Sequence, residues 1–195
     1  MTCIVGLIDK DVTYIGADSL GSNGYSKIVR NDRKVFHMKD IQNAVIGYTS
    51  SYRMGQLLMY ATGLIDKRDV LERDLDHEYL VNKFIPNVHK LFNDGGYGKT
   101  HEGQKDGGVF LLGYKNKLYE IESDFQVGES AKNYNSVGCG DNYALGSLFS
   151  TEGTDLSPIE RIHKALQAAT EFSTGVQGPY YILNTKTNEV VVIND

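Results

Sequence analysis

The sequence predicts an α+β protein in which antiparallel strands are layered between pairs of helices. Strand and helix signals come in blocks: strands, two helices, strands, two helices, strands. A doubly wound parallel sheet would instead alternate them strictly. The opening stretch is the second observation. Residues 3–8, Cys-Ile-Val-Gly-Leu-Ile, offer apolar groups to both faces, the pattern of a strand covered on both sides. A chain of 195 residues with 41% hydrophobic content can bury one sizeable core, so residues 1–195 are expected to form one domain.

Taken in order, residues 2–9 and 12–17 are rich in Val, Ile and Tyr and read as a hairpin across Asp9-Lys10-Asp11. Residues 33–38 and 43–49, flanking Lys39-Asp40 and Gln42-Asn43, read the same way. Ser50 or Ser51 caps a helix whose buried stripe is Met54, Leu57, Leu58, Ala61 and Leu64. Asp76 starts a second helix with Tyr79, Leu80, Phe84, Val88 and Leu91 inward, and Pro86, lacking an N–H, predicts a kink there. Residues 93–108 hold too many glycines for regular structure and predict a long mobile loop. Strands return at 109–114, 117–122 and near 135–139, and Asp141 caps a short helix through Phe149. Ser157-Pro158-Ile159-Glu160 is a capping box with proline at the first helical position. Its helix, with Ile159, Ile162, Leu166 and Ala169 inward, runs to about Ser173, and strands near 179–184 and 189–193 close the chain.

Composition removes several functions. The net charge is −5 and no basic stretch carries interleaved aromatics, which excludes a nucleic-acid surface and an anionic membrane as partners. No apolar run approaches a membrane helix, and the first strand lacks the charged start and cleavage site of a secretory signal. Cys3 and Cys139 form no C-x-x-C pair, which fits a reducing compartment and hence a cytoplasm. His37, His77, His89, His101 and His163 show no metal-ligand spacing, so neither metal nor cofactor is expected. Gly98-Lys99-Thr100 is not a P-loop, because Asn93 stands where the pattern needs glycine and no strand leads into it. Gly138-Cys139-Gly140 precedes a helix start, where backbone N–H groups could activate a thiol. A tight turn of small residues is the simpler reading, and the thiol stands as a rival.

The two early hairpins point at one place. A turn about Lys10 sets Thr2 opposite Asp18, and a turn across residues 39–42 sets Lys34 opposite Gly47. Opposed Cβ atoms are roughly 4.5–5.5 Å apart. A threonine at a chain terminus carries its own base, since a free α-amine has a pKa of about 7.7–8.0. A nearby Lys34 ammonium lowers that value, and Asp18 holds the lysine charged and oriented. A Gly47 N–H close to a developing oxyanion would stabilise it by roughly 3 kcal/mol. Taken alone, Asp18 and Lys34 read as a surface ion pair of about 0–1 kcal/mol.

These residues resemble the N-terminal-nucleophile hydrolases, and within them proteasome β subunits and HslV-type peptidases. The resemblance spans nearly the whole chain. Thr2-Cys3-Ile4-Val5-Gly6 resembles the mature family start, Gly16-Ala17-Asp18-Ser19 the segment with the acidic residue, and Arg33-Lys34-Val35-Phe36 the lysine motif. The spacings from Thr2 to Asp18 and to Lys34 agree with the family without a gap. Ile46-Gly47 resembles the oxyanion glycine, Val137-Gly138-Cys139-Gly140-Asp141 the Gly-Ser-Gly turn, and Glu171-Phe172-Ser173-Thr174-Gly175 the late Asp-x-x-Ser-Gly segment. Three positions depart from the pattern: Cys139 replaces the usual serine, Glu171 the aspartate and Thr174 the later serine.

The resemblance implies a four-layer αββα sandwich and a threonine peptidase that acts through an acyl-enzyme on Thr2 once Met1 is removed. Threonine is small enough at the second position for ordinary methionine removal to be expected. It further implies a homo-oligomeric ring or helical assembly enclosing the sites, unfolded polypeptide or peptide as substrate, and an AAA+ ATPase unfoldase as a candidate partner. Three alternatives stay open: a catalytically silent assembly subunit, an amidase acting on a small molecule, and a thiol hydrolase using Cys139.

Overall fold

The first strand shows why its sequence is apolar on both faces. The computed structural model describes residues 1–72, 74–101 and 104–194. In it Cys3–Asp9 lies inside a five-stranded antiparallel sheet, between Tyr134–Gly138 and Val12–Ala17. Tyr180–Asn184 and Val191–Ile193 complete that sheet. Cys3, Val5 and Leu7 pack with Ala144, Leu148, Ile162 and Leu166 of the helices Asp141–Ser150 and Pro158–Phe172. Ile4 points the other way and joins Ile15, Val45, Leu111 and Leu118.

That second cluster is the space between two sheets. The other five-stranded sheet runs Val127–Glu129, Lys117–Ile121, Phe110–Tyr114, Ala44–Tyr48, Val35–His37. Its outer face packs Ile46, Phe110 and Leu112 against Met54, Leu58, Phe84 and Val88 of the two remaining long helical segments. Three separate cores therefore lie between four layers, α-β-β-α, as expected.

Local signals placed most elements. Ser51 accepts the Arg53 N–H at 3.2 Å and starts the helix Tyr52–Tyr60; Asp76 accepts the Tyr79 N–H at 2.8 Å. The Ser157–Glu160 capping box closes in both directions, at 3.3 and 2.8 Å. Such caps are each worth about 1 kcal/mol. The kink expected at Pro86 takes the form of a π-helical turn, Leu80–Phe84, between His77–Tyr79 and Ile85–Asp94. Bonding of the Ile85 N–H to the Leu80 carbonyl widens the turn just before the proline, which has no N–H to continue the ordinary ladder.

Both early hairpins are one residue out of the expected register. Ile4 faces Ala17 and Val5 faces Gly16, while Val35, not Lys34, faces Gly47. The turns decide this. Lys10 (φ 52°) and Asn43 (φ 64°) adopt left-handed backbone and tighten each connection. The glycine-rich stretch 93–108 is also not a plain loop. The preceding helix runs to Asp94, and Lys99–His101 pairs with Gln104–Asp106 as a small hairpin, residues 102 and 103 lying outside the described ones. Gly98 (φ 106°) and Gly108 (φ 73°) flank the hairpin with conformations that other residues rarely adopt. Leu20–Ser22, Lys27–Val29, Lys67–Glu72 and Val127–Glu129 were too short to carry a periodic signal of their own.

Candidate active site

Thr2, Asp18 and Lys34 each sit at the end of a strand: just before Cys3–Asp9, just after Val12–Ala17 and just before Val35–His37. The observed register sets Cys3 opposite Asp18, so the Cys3 N–H, at 3.0 Å, is one of the donors to Asp18 Oδ1. Lys34 Nζ is the other, at 2.8 Å. Oδ2 accepts the Leu20 N–H at 2.9 Å and the Gln177 N–H at 3.4 Å. The pair is no surface ion pair: the side chains of Lys34 and Asp18 are 2% and 0% exposed. Burial pushes the Lys34 ammonium below the usual lysine range, and the charge and hydrogen bond of Asp18 pull against it.

Lys34 Nζ donates a second hydrogen bond to the Leu20 carbonyl at 2.7 Å. An ammonium has three donors, so one remains. Lys34 and Thr2 line the same small cavity, about 80 Å³, whose far wall is residues 48–52. Thr2 itself is buried, and its Oγ1 donates to the Met1 carbonyl. Its N–H points at Cys139 Sγ, 3.3 Å away. The Thr2 carbonyl accepts from Gly140 N–H at 3.4 Å and from the Cys139 thiol at 3.5 Å. Such closeness requires glycine at 138: its φ is 109°, and a Cβ there would lie 2.3 Å from the Thr2 oxygen.

The late segment is divided between the surface and the Cys139 cluster. Glu171 and Thr174 are exposed, and neither is hydrogen-bonded to this cluster. Ser173, which the sequence reading passed over, donates from Oγ to Cys139 Sγ at 3.5 Å and accepts the Gly175 N–H at 3.3 Å. The helix end explains the difference. With the Ser173 N–H bonded to the Ala169 carbonyl, the last helical turn places residue 173 inward. A serine at the carboxyl cap of the helix is the available signal, whereas the resemblance to Asp-x-x-Ser-Gly points to the next residue.

Gly47 lies within the strand ladder. The Lys34 carbonyl takes the Tyr48 N–H at 2.9 Å, and the Val109 carbonyl takes the Thr49 N–H at 3.1 Å. Ladder alternation then turns the Gly47 N–H toward its partner Leu111. What the missing side chain provides is room between the sheets, since a Cβ would lie 2.6 Å from Ile4 and 2.7 Å from Ile15. Gly47→Ala is therefore expected to lower stability by about 1–3 kcal/mol through overpacking, measured by urea denaturation. An unchanged midpoint would show that the sheets give way at no cost.

No protein-family model matches the sequence, and no curated protein sequence is significantly similar to it. Solved structures are. BPH of Thiobacillus denitrificans superposes with a TM-score of 0.72 at 18% identity, over 93% of this chain and 96% of that one. The eukaryotic HslV of Trypanosoma brucei gives 0.67 at 15% identity, covering 93% and 98%. The fold is that of the proteasome-like N-terminal-nucleophile hydrolases. A mutant of Anbu from Hyphomicrobium sp. strain MC1 agrees, with a TM-score of 0.66 at 12% identity over 100% of this chain and 88% of that one. Among the described residues of this proteasome-like fold, no helix is long and apolar enough to cross a membrane, and no group of three or more His, Cys, Asp or Glu could hold a metal ion.

Proposed function

We propose that the chain, once Met1 is removed, is a threonine-type endopeptidase acting on unfolded polypeptide in the cytoplasm, within an assembly of its own copies. The observation that carries this reading is the buried Lys34 ammonium. It is fixed by Asp18 and the Leu20 carbonyl, with one donor left over and Thr2 in the same cavity. A structural ion pair has no need of an unspent donor beside a buried hydroxyl.

In this mechanism the free Thr2 amine takes the proton from its own Oγ, and the oxygen attacks the peptide carbonyl. Lys34 lowers the pKa of that amine, and Asp18 keeps the lysine in place. The oxyanion needs an uncommitted N–H. Those of Tyr48, Thr49 and Ser51 are bonded to the Lys34, Val109 and Thr49 carbonyls, whereas the Ser50 N–H enters no hydrogen bond among the described residues. Ser50, with φ 67°, lines the Thr2 cavity and is the donor we assign in place of Gly47. The amine then passes its proton to the departing amine, and water releases the acyl group from Thr2. Cys139, at 3.3 Å, steadies the amine as a hydrogen-bonding partner, while Ser173 holds the thiol.

Assembly is favoured by what the outer helices expose. Phe149 and Phe172 are 64% and 66% exposed, and the Phe172 ring sits against Tyr143 at 5.7 Å on the solvent side. Paired variants test the nucleophile. Cys139→Ser is expected to keep or raise the rate of fluorogenic peptide hydrolysis, because a hydroxyl can hold the amine as well. Thr2→Ala is expected to abolish it. The reverse pattern, an inactive Cys139→Ser beside an active Thr2→Ala, would establish the thiol as nucleophile.

A further inference from the structure

A second cavity opens beside the one that Thr2 lines. It measures about 400 Å³ and shares Met1, Thr49 and Ser50 with the Lys34 cavity. Its walls carry the carboxylates of Glu120, Glu122 and Asp141, and no lysine, arginine or histidine lines it. Three different elements supply these groups: the Lys117–Ile121 strand, the residue after it, and the start of the helix Asp141–Ser150. All three residues are half-buried. Glu120 Oε2 accepts from Asn135 Nδ2 at 2.6 Å, and Asp141 Oδ1 from the Asn142 N–H at 2.6 Å. Glu120 and Glu122 also hydrogen-bond each other, and no cationic side chain lines the cavity to balance the three carboxyl groups. Burial pushes the Glu120 carboxyl up and the Asn135 bond opposes it, while the charge and hydrogen bond of Glu122 and the charge of Asp141 add to the rise.

The position of the cavity relative to the chemistry gives it a role. Cys139 is part of its wall and lies 3.3 Å from the Thr2 nitrogen. The Thr2 amine must hand its proton to the departing amine, so the departing half of the substrate lies on the side of that nitrogen. We infer that this cavity is a substrate subsite for the residue following the scissile bond, and that its carboxylates select lysine or arginine there. The inference rests on the Thr2 peptidase reading for its direction, while the cavity and its charge stand independently of it. A cationic side chain entering here supplies the countercharge that Glu120, Glu122 and Asp141 lack, and its aliphatic stem meets Val109 and Val137.

The test uses the intact protein and internally quenched peptides that differ only after the cleaved bond, lysine against norleucine. Expected is a preference for lysine of about tenfold or more in kcat/KM, the size of one charge-assisted hydrogen bond. The ratio should fall toward one in Glu120→Gln/Glu122→Gln. A wild-type ratio near one, or a preference for an acidic residue, overturns the inference. A second readout separates this from failure of the peptidase reading: competition between lysyl-peptide and norleucyl-peptide amides for binding, followed by fluorescence polarisation. If no peptide is hydrolysed, tighter lysyl binding that the double glutamine variant loses still supports the subsite. Equal binding of the two peptides overturns it. If the double variant fails to fold, Asp141→Asn carries the same comparison.

Discussion

A chain that starts at Thr2 is expected to hydrolyse unfolded peptides, and one obliged to keep a residue before Thr2 to hydrolyse none. With Met1 in place the Thr2 nitrogen is an amide and has no basicity; its N–H points at Cys139 Sγ, and the hydroxyl is spent on the Met1 carbonyl. The general base is then missing, a loss of at least about 10²-fold. The measurement is intact mass alongside a peptide assay. Active preparations should consist of chains beginning at Thr2. Insertion of a lysine between Met1 and Thr2, too bulky at the second position for methionine removal, should leave a folded and inactive protein. Undiminished cleavage by protein that quantitatively retains Met1 would remove Thr2 as nucleophile. Retained Met1 without activity would favour the silent-subunit alternative.

The second large effect is at Lys34. Lys34→Ala should abolish turnover, and it should also destabilise the protein by about 3–5 kcal/mol, because it leaves the fully buried Asp18 carboxylate without its countercharge. Two consequences of one substitution must be separated. In Lys34→Met/Asp18→Asn the uncompensated charge is gone, and an amide oxygen can still accept from part of the Cys3, Leu20 and Gln177 N–H set. Stability, followed by urea denaturation, should recover in part while turnover stays lost. Peptide hydrolysis near the wild-type rate in that folded double variant would take Lys34 out of the mechanism and leave the pair a purely structural one.

How far the site was legible follows from the distance over which each signal acts. Thr2, Asp18 and Lys34 could be placed at strand ends because the strands announce themselves by apolar residues a few positions apart. Which residue faces which could not. The register of both hairpins turns on the left-handed backbone of Lys10 and Asn43, conformations that nothing in a Lys or Asn side chain makes obligatory. A slip of one residue exchanges Thr2 for Cys3 opposite Asp18. It also moves Gly47 away from its expected partner, Lys34.

By itself the sequence determined the order of the longer elements, the caps at Asp76 and Ser157, the break at Pro86 and the burial of the first strand on both faces. Each depends on contacts within a turn of helix or a few residues of strand, so each is written locally. Tertiary structure alone decided that Ser173 rather than Thr174 reaches Cys139, because that choice depends on where the Pro158–Phe172 helix ends against the sheet. It decided that Gly47 is a spacer, since Ile4 and Ile15 crowd it from strands far away in the chain. It also decided that Glu120, Glu122 and Asp141 face one cavity beside Thr2. Such gatherings are made by packing sheets and helices into layers, and the interactions that hold them connect residues whose separation along the chain carries no periodic trace.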